Sequence, residues 1–292
     1  MVDRFKYYLG DFYNQNNITI KVADKYKEFK QNGIYYYLGP DCYPDGFRFT
    51  HGIVKPCWWW YQPDEFAVKF KCLTNSADGY ESDGLPVLTK ARLIGKENSG
   101  ILIKYEYGYH WEILNNFKDP YTWDKKINDV IWRGTGYTSF NKKFNRYTFI
   151  EQYVNKYNVG FSCSPNDKYV KDKLDVYTQL KYKYLICLEG NDVSTSLKWS
   201  LLSNSVVIMS KPIIESWLME GLLQPYIHYI PLKDDFSDLD EILEWCKQND
   251  EKCNQIAINA SLYMSQFLNV ENEKKLHKKL FDWYNKNITF IE

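Results

Sequence analysis

Residues 182–210 read YKYLICLEGNDVSTSLKWSLLSNSVVIMS. Two apolar β-type runs, Tyr184 to Leu188 and Val206 to Met209, bracket a helical segment, STSLKWSLLSN. Strand, helix and strand in direct succession form the unit of a parallel, helix-covered sheet. The link into the helix is unusual, because Gly190, Asn191, Asp192, Ser194, Thr195 and Ser196 are all small or hydrogen-bonding. An ordinary link needs one capping residue. A helix beginning near Ser194 presents free backbone N–H groups and the positive end of its dipole, about half a charge. The hydroxyls of Ser194, Thr195 and Ser196 add donors, and Lys198, one turn inside, is placed to neutralise a phosphate. The other reading of these residues is a helix cap on a polar turn.

Outward from this stretch the alternation continues. From residue 124, DKKINDVIWRGTG predicts a strand and a tight turn, and FNRYTFIEQYVNKY a helix with Phe144, Phe149, Ile150 and Val154 at near-helical spacing. NVGFSCS predicts a strand, PNDKYVKDKLDVYTQL a partly helical stretch, IIESWLMEGLLQ a helix and PYIHYIPL a strand. SDLDEILEWCKQNDEKCNQIAINASLYMSQFL predicts two helical segments. The expected fold is α/β, with a parallel doubly wound sheet whose ligands lie beyond the C-terminal strand ends. The first third is less regular and rich in Tyr, Gly and Pro. There FAVKFK (66–71) alternates as a half-buried strand, LTNSADGYESDG is a polar loop, and GILIKYEYGYHWEIL holds a strand running into a short helix.

A second strand end carries chemistry. In DVIWRGTGYTS, strand residues Val130 to Trp132 lead to Arg133, Gly134, Thr135 and Gly136. Glycines admit a close ligand, and Arg offers a fork of donors suited to phosphate oxygens. An Arg paired with an acid such as Asp129 fits the same letters. Other chemistries find less support. GxGxxG and Walker A patterns are absent, the four histidines (51, 110, 228, 277) lack ligand spacing, and GxSxG does not occur. His228 reads as a hydrogen-bonded strand histidine. Asp234, Asp235, Asp238 and Asp240 read as the acidic start of a helix.

Composition sets bounds. Lys plus Arg equals Asp plus Glu at 37 each, which argues against a broad basic nucleic-acid face but leaves room for a local anion pocket. Aromatic residues make up 18% of the chain; most will pack in cores, while rings such as Trp58–Trp60 are able to line a sugar-binding groove. Seven scattered cysteines without a CxxC suit free thiols in a reducing compartment. MVDRFKYYLGDF lacks a signal-type apolar run, and no stretch is long enough to cross a bilayer, so the expectation is a cytoplasmic protein without a membrane span.

Together, DVIWRGTGYTS, YKYLICLEGNDVSTSLKWSLLSNSVVI and LLQPYIHYIPLKDDFSDLDEILEWCKQND resemble the CAP10-like glycosyltransferases, glycosyltransferase family 90. The likeness spans roughly residues 85 to 285. It implies a GT-B type fold: two Rossmann-like domains facing a cleft, the N-terminal one divergent and irregular. On that basis residues 1–123 form an acceptor-side domain, with a C-terminal helix of about 271–292 packing back on it. Residues 124–270 form the UDP-sugar-binding domain.

The resemblance further implies an inverting, metal-independent transferase without a cofactor, moving a sugar from a UDP-sugar to a glycan or glycoprotein hydroxyl. Xylose is favoured, with glucose next. Arg133, Gly134, Thr135, Ser139 and Arg146 match the family's Arg-Gly turn and the helix after it; Ser194, Thr195, Ser196 and Lys198 match the donor-site turn. Ser196 stands where the family usually has Arg, which shifts weight to Lys198 and Arg133. The family's catalytic aspartate falls near Cys72, so Asp78 and then Asp83 are the candidate bases, with Asp64 and Glu65 behind them. The competing reading is a catalytically inactive relative that binds a UDP-sugar or a glycan.

Overall fold

In the computed structural model the described residues are 2–21, 84–104, 107–136, 144–164 and 167–291. To these are added the backbones of four strands, Lys27–Gln31, Ile34–Leu38, Arg48–His51 and Cys72–Asn75. Asp64, Glu65, FAVKFK, Trp58–Trp60, Asp78, Asp83 and Ser139 lie outside them. The chain divides into two compact units. The first gathers Met1–Glu112, Ile213–Met219 and Asn269–Glu292; the second gathers Ile113–Pro212 and Glu220–Leu268.

The second unit is built on five parallel strands. In spatial order they are Asn158–Cys163, Ile127–Thr135, Tyr182–Ile186, Val206–Met209 and Ile230–Pro231. In chain order this reads second, first, third, fourth, fifth, an arrangement whose order reverses between the first and third strands. Val130, Ile131 and Trp132 are all buried, as are all four residues of Val206–Met209, so both faces of the sheet are covered here. The core joins Val130, Trp132, Phe149, Phe161, Tyr184, Ile186 and Ile208 to Leu239, Leu243 and Ile256 from the helices Leu239–Gln248 and Asp250–Ser265.

Three sequence expectations change here. The first strand continues through Arg133, Gly134 and Thr135, because Asn158–Cys163 pairs alongside them. IIESWLMEGLLQ is not a helix: Ile214–Ser216 pairs antiparallel with Ala91–Leu93, and only Glu220–Leu222 makes a helical turn. Its apolar residues satisfy the first unit instead, with Ile214, Trp217 and Leu218 buried there. In PYIHYIPL only Ile230–Pro231 is strand, an edge position that tolerates a residue without N–H. The preceding residues turn, with Tyr226 at φ 59° and the Gln224 N–H donating to His228 Nδ1 at 3.0 Å.

The first unit holds a six-stranded mixed sheet and a parallel pair that joins Ile18–Lys21 to Ile288–Ile291. Its centre is ionic. Arg4 grips Glu273 with two donors at 2.6 and 3.0 Å, and Lys104 reaches the same carboxylate at 3.3 Å. Lys104 also lies over the Trp217 and Trp111 rings, 4.4 and 4.8 Å from their centroids. Burial raises the Glu273 carboxyl, but Arg4 and Lys104 more than offset it and hold it below its ordinary range. Beside it, His277 Nε2 accepts from the Lys104 N–H at 2.9 Å, so Nδ1 carries the proton that faces the Glu273 carbonyl. Among the described residues no helix is long and apolar enough to cross a membrane.

Candidate functional site

The strand-order reversal of the second unit lies between the ends of Ile127–Thr135 and Tyr182–Ile186, and Arg146 spans it. The helix Arg146–Tyr153 starts cleanly because Asn145 caps it: its side chain accepts from the Tyr147 and Thr148 N–H groups, and Thr148 reciprocates. Arg146, its first residue, reaches back to the sheet. Nη1 donates to the Thr135 carbonyl at 3.1 Å and to Thr135 Oγ1 at 3.3 Å; Nη2 donates to the Leu188 carbonyl at 3.0 Å. The guanidinium carbon stands 5.9 Å from the Trp132 ring centre. Gly190 makes this approach possible, since a Cβ there would sit 2.9 Å from Arg146 Nη2. Gly134 lies under the Trp132 indole, where a Cβ would be 2.5 Å from Cζ2.

The serine turn closes the other side. The Cys187 N–H still pairs with the Ile208 carbonyl at 3.1 Å, and the chain then folds at Gly190, whose N–H donates to the Asp192 carbonyl at 3.0 Å. The helix is Leu197–Leu202, three residues later than the sequence suggests, and the flanking Ser196 makes no side-chain cap. Ser194 is buried, while Thr195 and Ser196 are half-exposed. The Ser194 and Ser196 hydroxyls are 3.1 Å apart, with Cys187 Sγ 3.8 Å from Ser196 Oγ. Burial pushes the Cys187 thiol up to about 11, so it is neutral and no nucleophile.

Lys198 points inward. Its Nζ donates to the Ser194 carbonyl at 3.2 Å and lies 3.5 Å from Glu220 Oε1, with the two side chains 0% and 1% exposed. Arg133 is directed to the sheet edge. Nε donates to the Asp172 carbonyl at 3.0 Å, Nη1 to the Trp132 and Asn158 carbonyls at 2.9 and 3.0 Å, and Nη2 to Asn158 Oδ1 at 2.8 Å. The nearby Asp129 accepts from the Val130 N–H at 2.7 Å. Arg133 is therefore a clamp on the neighbouring strand, neither a partner of Asp129 nor turned to the reversal point.

The structure thus brings Gly134, Thr135, Arg146, Ser194, Thr195 and Ser196 to one pair of strand ends, with Lys198 behind them. Sequence reasoning missed Glu220, which it placed on an expected helix 22 residues from its partner. Among the described residues no three His, Cys, Asp or Glu side chains converge to hold a metal ion.

The chain is similar in sequence to several known proteins. The chain is 34% identical to O-glucosyltransferase LpsA of Dichelobacter nodosus over 194 residues, 65% of this chain and 58% of LpsA. It is 29% identical to Protein O-glucosyltransferase 2 of Danio rerio over 172 residues, 56% of this chain and 33% of that one. It is also 29% identical to protein 179R of Invertebrate iridescent virus 6 over 198 residues, 54% of this chain and 16% of the viral one. The chain therefore spans little more than half of LpsA and less of the others. The family model described as "Glycosyl transferase family 90" matches residues 106–291, more than half of the sequence. The chain belongs to glycosyl transferase family 90.

Proposed function

We propose that the chain is an inverting glycosyltransferase that holds the diphosphate of a UDP-sugar at the strand-order reversal of its second unit. The observation that carries this reading is Arg146, bridging Thr135 and Leu188 beside the Ser194–Ser196 turn. A forked cation and several hydroxyls between two parallel-strand ends suit phosphate oxygens.

In the reaction, an acceptor hydroxyl oxygen attacks C1 of the donor sugar. The new C1–O bond forms as the bond to the diphosphate breaks; UDP leaves with the electron pair, and the hydroxyl proton passes to a carboxylate base. Asp78, then Asp83, are the candidates for that base. As charge grows on the departing diphosphate, Arg146 and the turn hydroxyls stabilise it, without a metal. A fixed donor of this type is worth roughly 2.7–4 kcal/mol in comparable oxyanion sites. In a GT-B type arrangement the first unit takes the acceptor, a glycan or a glycoprotein.

The donor order changes from the one expected above. Glucose stands ahead of xylose, because LpsA and the Danio rerio relative are named O-glucosyltransferases. Calorimetric titration with UDP, UDP-glucose and UDP-xylose in the presence of a chelator tests the reading. Tight UDP binding together with release of UDP from one sugar donor in an acceptor screen supports it. Absence of any uridine-nucleotide binding sinks it, and UDP-sugar binding without turnover favours the non-catalytic alternative.

A further inference from the structure

We infer that Lys198 and Glu220 form a positioning element of the donor site, fixing the Ser194–Ser196 turn from behind and never touching the ligand. The inference rests on the UDP-sugar reading just given and deepens it.

Several observations point the same way. Both side chains are buried, at 0% and 1% exposure, and their charges lie 3.5 Å apart. Burying a charge pair costs desolvation that its attraction often only balances, and apolar replacements of similar volume are frequently neutral or stabilising. Stability alone therefore gives this pair little reason to exist. Its geometry supplies another. Lys198 Nζ donates to the Ser194 carbonyl at 3.2 Å, and the same carbonyl accepts from the Leu197 N–H at 3.2 Å. Ser194 is thus tied by its backbone to the helix start and to the ammonium below. Its hydroxyl is 3.1 Å from that of Ser196, so the backbone held by the ammonium carries a hydroxyl paired within the turn.

Glu220 comes from elsewhere in the chain. It directly follows Met219, which is held at φ 57°, and opens the turn Glu220–Leu222. A residue bound for a phosphate would reach outward; this ammonium is instead held inward by a carboxylate and a carbonyl. A turn whose donors are set before the ligand arrives spends less binding energy on ordering.

The test uses the full chain and four proteins: wild type, Lys198→Met, Glu220→Gln and the double variant Lys198→Met/Glu220→Met. Each is titrated with UDP and with uridine, and its melting temperature is recorded. The expected result is that both single variants bind UDP about ten-fold or more weaker. The double variant recovers the wild-type melting temperature but not the affinity. If Glu220→Gln instead tightens UDP while Lys198→Met abolishes its binding, Lys198 is a direct phosphate ligand and the inference is overturned. Unchanged UDP affinity in folded variants overturns it too, leaving the pair a packing feature.

Amide hydrogen exchange at Thr195 to Leu197 supplies an arm that needs no ligand. The double variant is expected to exchange there about ten-fold faster than wild type at equal global stability; equal rates contradict the inference. Failure of wild type to bind UDP counts against the proposed function alone, and the exchange arm still decides the positioning role.

Discussion

Arg146 donates to the Leu188 carbonyl at 3.0 Å, and so ties the start of one helix to the end of a strand 42 residues later. With its other terminal nitrogen on Thr135, the guanidinium staples the two strand ends between which the sheet order reverses. Replacement by Lys keeps the charge but not the fork, and a single ammonium is not able to serve both ends. Arg146→Lys is expected to weaken UDP binding by about ten-fold or more, the scale of one charge-assisted hydrogen bond. Calorimetry checks this, and wild-type affinity in Arg146→Lys would mean that the staple is not part of the donor site.

Gly190 offers a gentler probe of the same contact. A methyl group there falls 2.9 Å from Arg146 Nη2 and 3.1 Å from Cζ, so the flexible guanidinium must move. Gly190→Ala should therefore fold normally yet lose UDP affinity several-fold, as a lost fraction of a hydrogen bond implies. A Gly190→Ala protein with full affinity shows that the position of the guanidinium does not matter to the ligand.

Arg133 carries the opposite expectation. Its donors satisfy the part-buried carbonyls of Trp132 and Asn158 and the exposed carbonyl of Asp172, and its replacement removes those hydrogen bonds. Arg133→Met is expected to lower stability by about 1–3 kcal/mol, while leaving UDP affinity within a factor of about two. Urea unfolding and a UDP titration read the two quantities separately. Loss of affinity without loss of stability would return Arg133 to the ligand.

His277 predicts a pH dependence. Burial lowers it to about 4, below its ordinary 6.5, so the unfolded chain takes up a proton that the folded protein refuses. In this window the unfolded state binds more protons, so stability rises with pH. The contribution is fully present above pH 6.5 and is lost as pH falls from 6.5 toward 4. Its ceiling is on the order of 3 kcal/mol, from 1.36 kcal/mol per pKa unit. His277→Gln can still accept from Lys104 and donate to the Glu273 carbonyl, and its urea midpoint should fall less steeply between pH 7 and 4.5. Parallel profiles for the two proteins would remove His277 as the cause.

Much of the second unit was legible in the sequence because each element has one dominant period. Val206–Met209 and the helix with Phe149 and Ile150 lie where the apolar spacing puts them, and the strand expected over Tyr184–Leu188 is displaced by two residues, to Tyr182–Ile186. Ile213–Leu222 was not legible, since its Ile, Trp and Leu residues fit a helix face as well as a strand, and only the partner Ala91–Leu93 decides between them. The site shows the same limit. Sequence places Arg133 and Arg146 near one another but not their side chains. The register against Asn158–Cys163 turns Arg133 to the sheet edge, and the first turn of a helix throws Arg146 back over the strand ends. Lys198 reads as a cation one turn inside a helix, placed to neutralise a phosphate, until Glu220, 22 residues away in sequence, appears beside it.

The most direct test of the donor-site assignment is UDP binding, without metal, to wild type, Arg146→Met and Arg133→Met in one thermal-shift and calorimetry series. UDP at 100 times its Kd should add about 2.7 kcal/mol of stability. The expected result is that wild type and Arg133→Met are both stabilised, from different starting points, while Arg146→Met gains about 1.4 kcal/mol or less at the same UDP concentration. Stabilisation of Arg146→Met equal to wild type, or its loss in Arg133→Met alone, would contradict the placement of the diphosphate at the Thr135–Leu188 bridge.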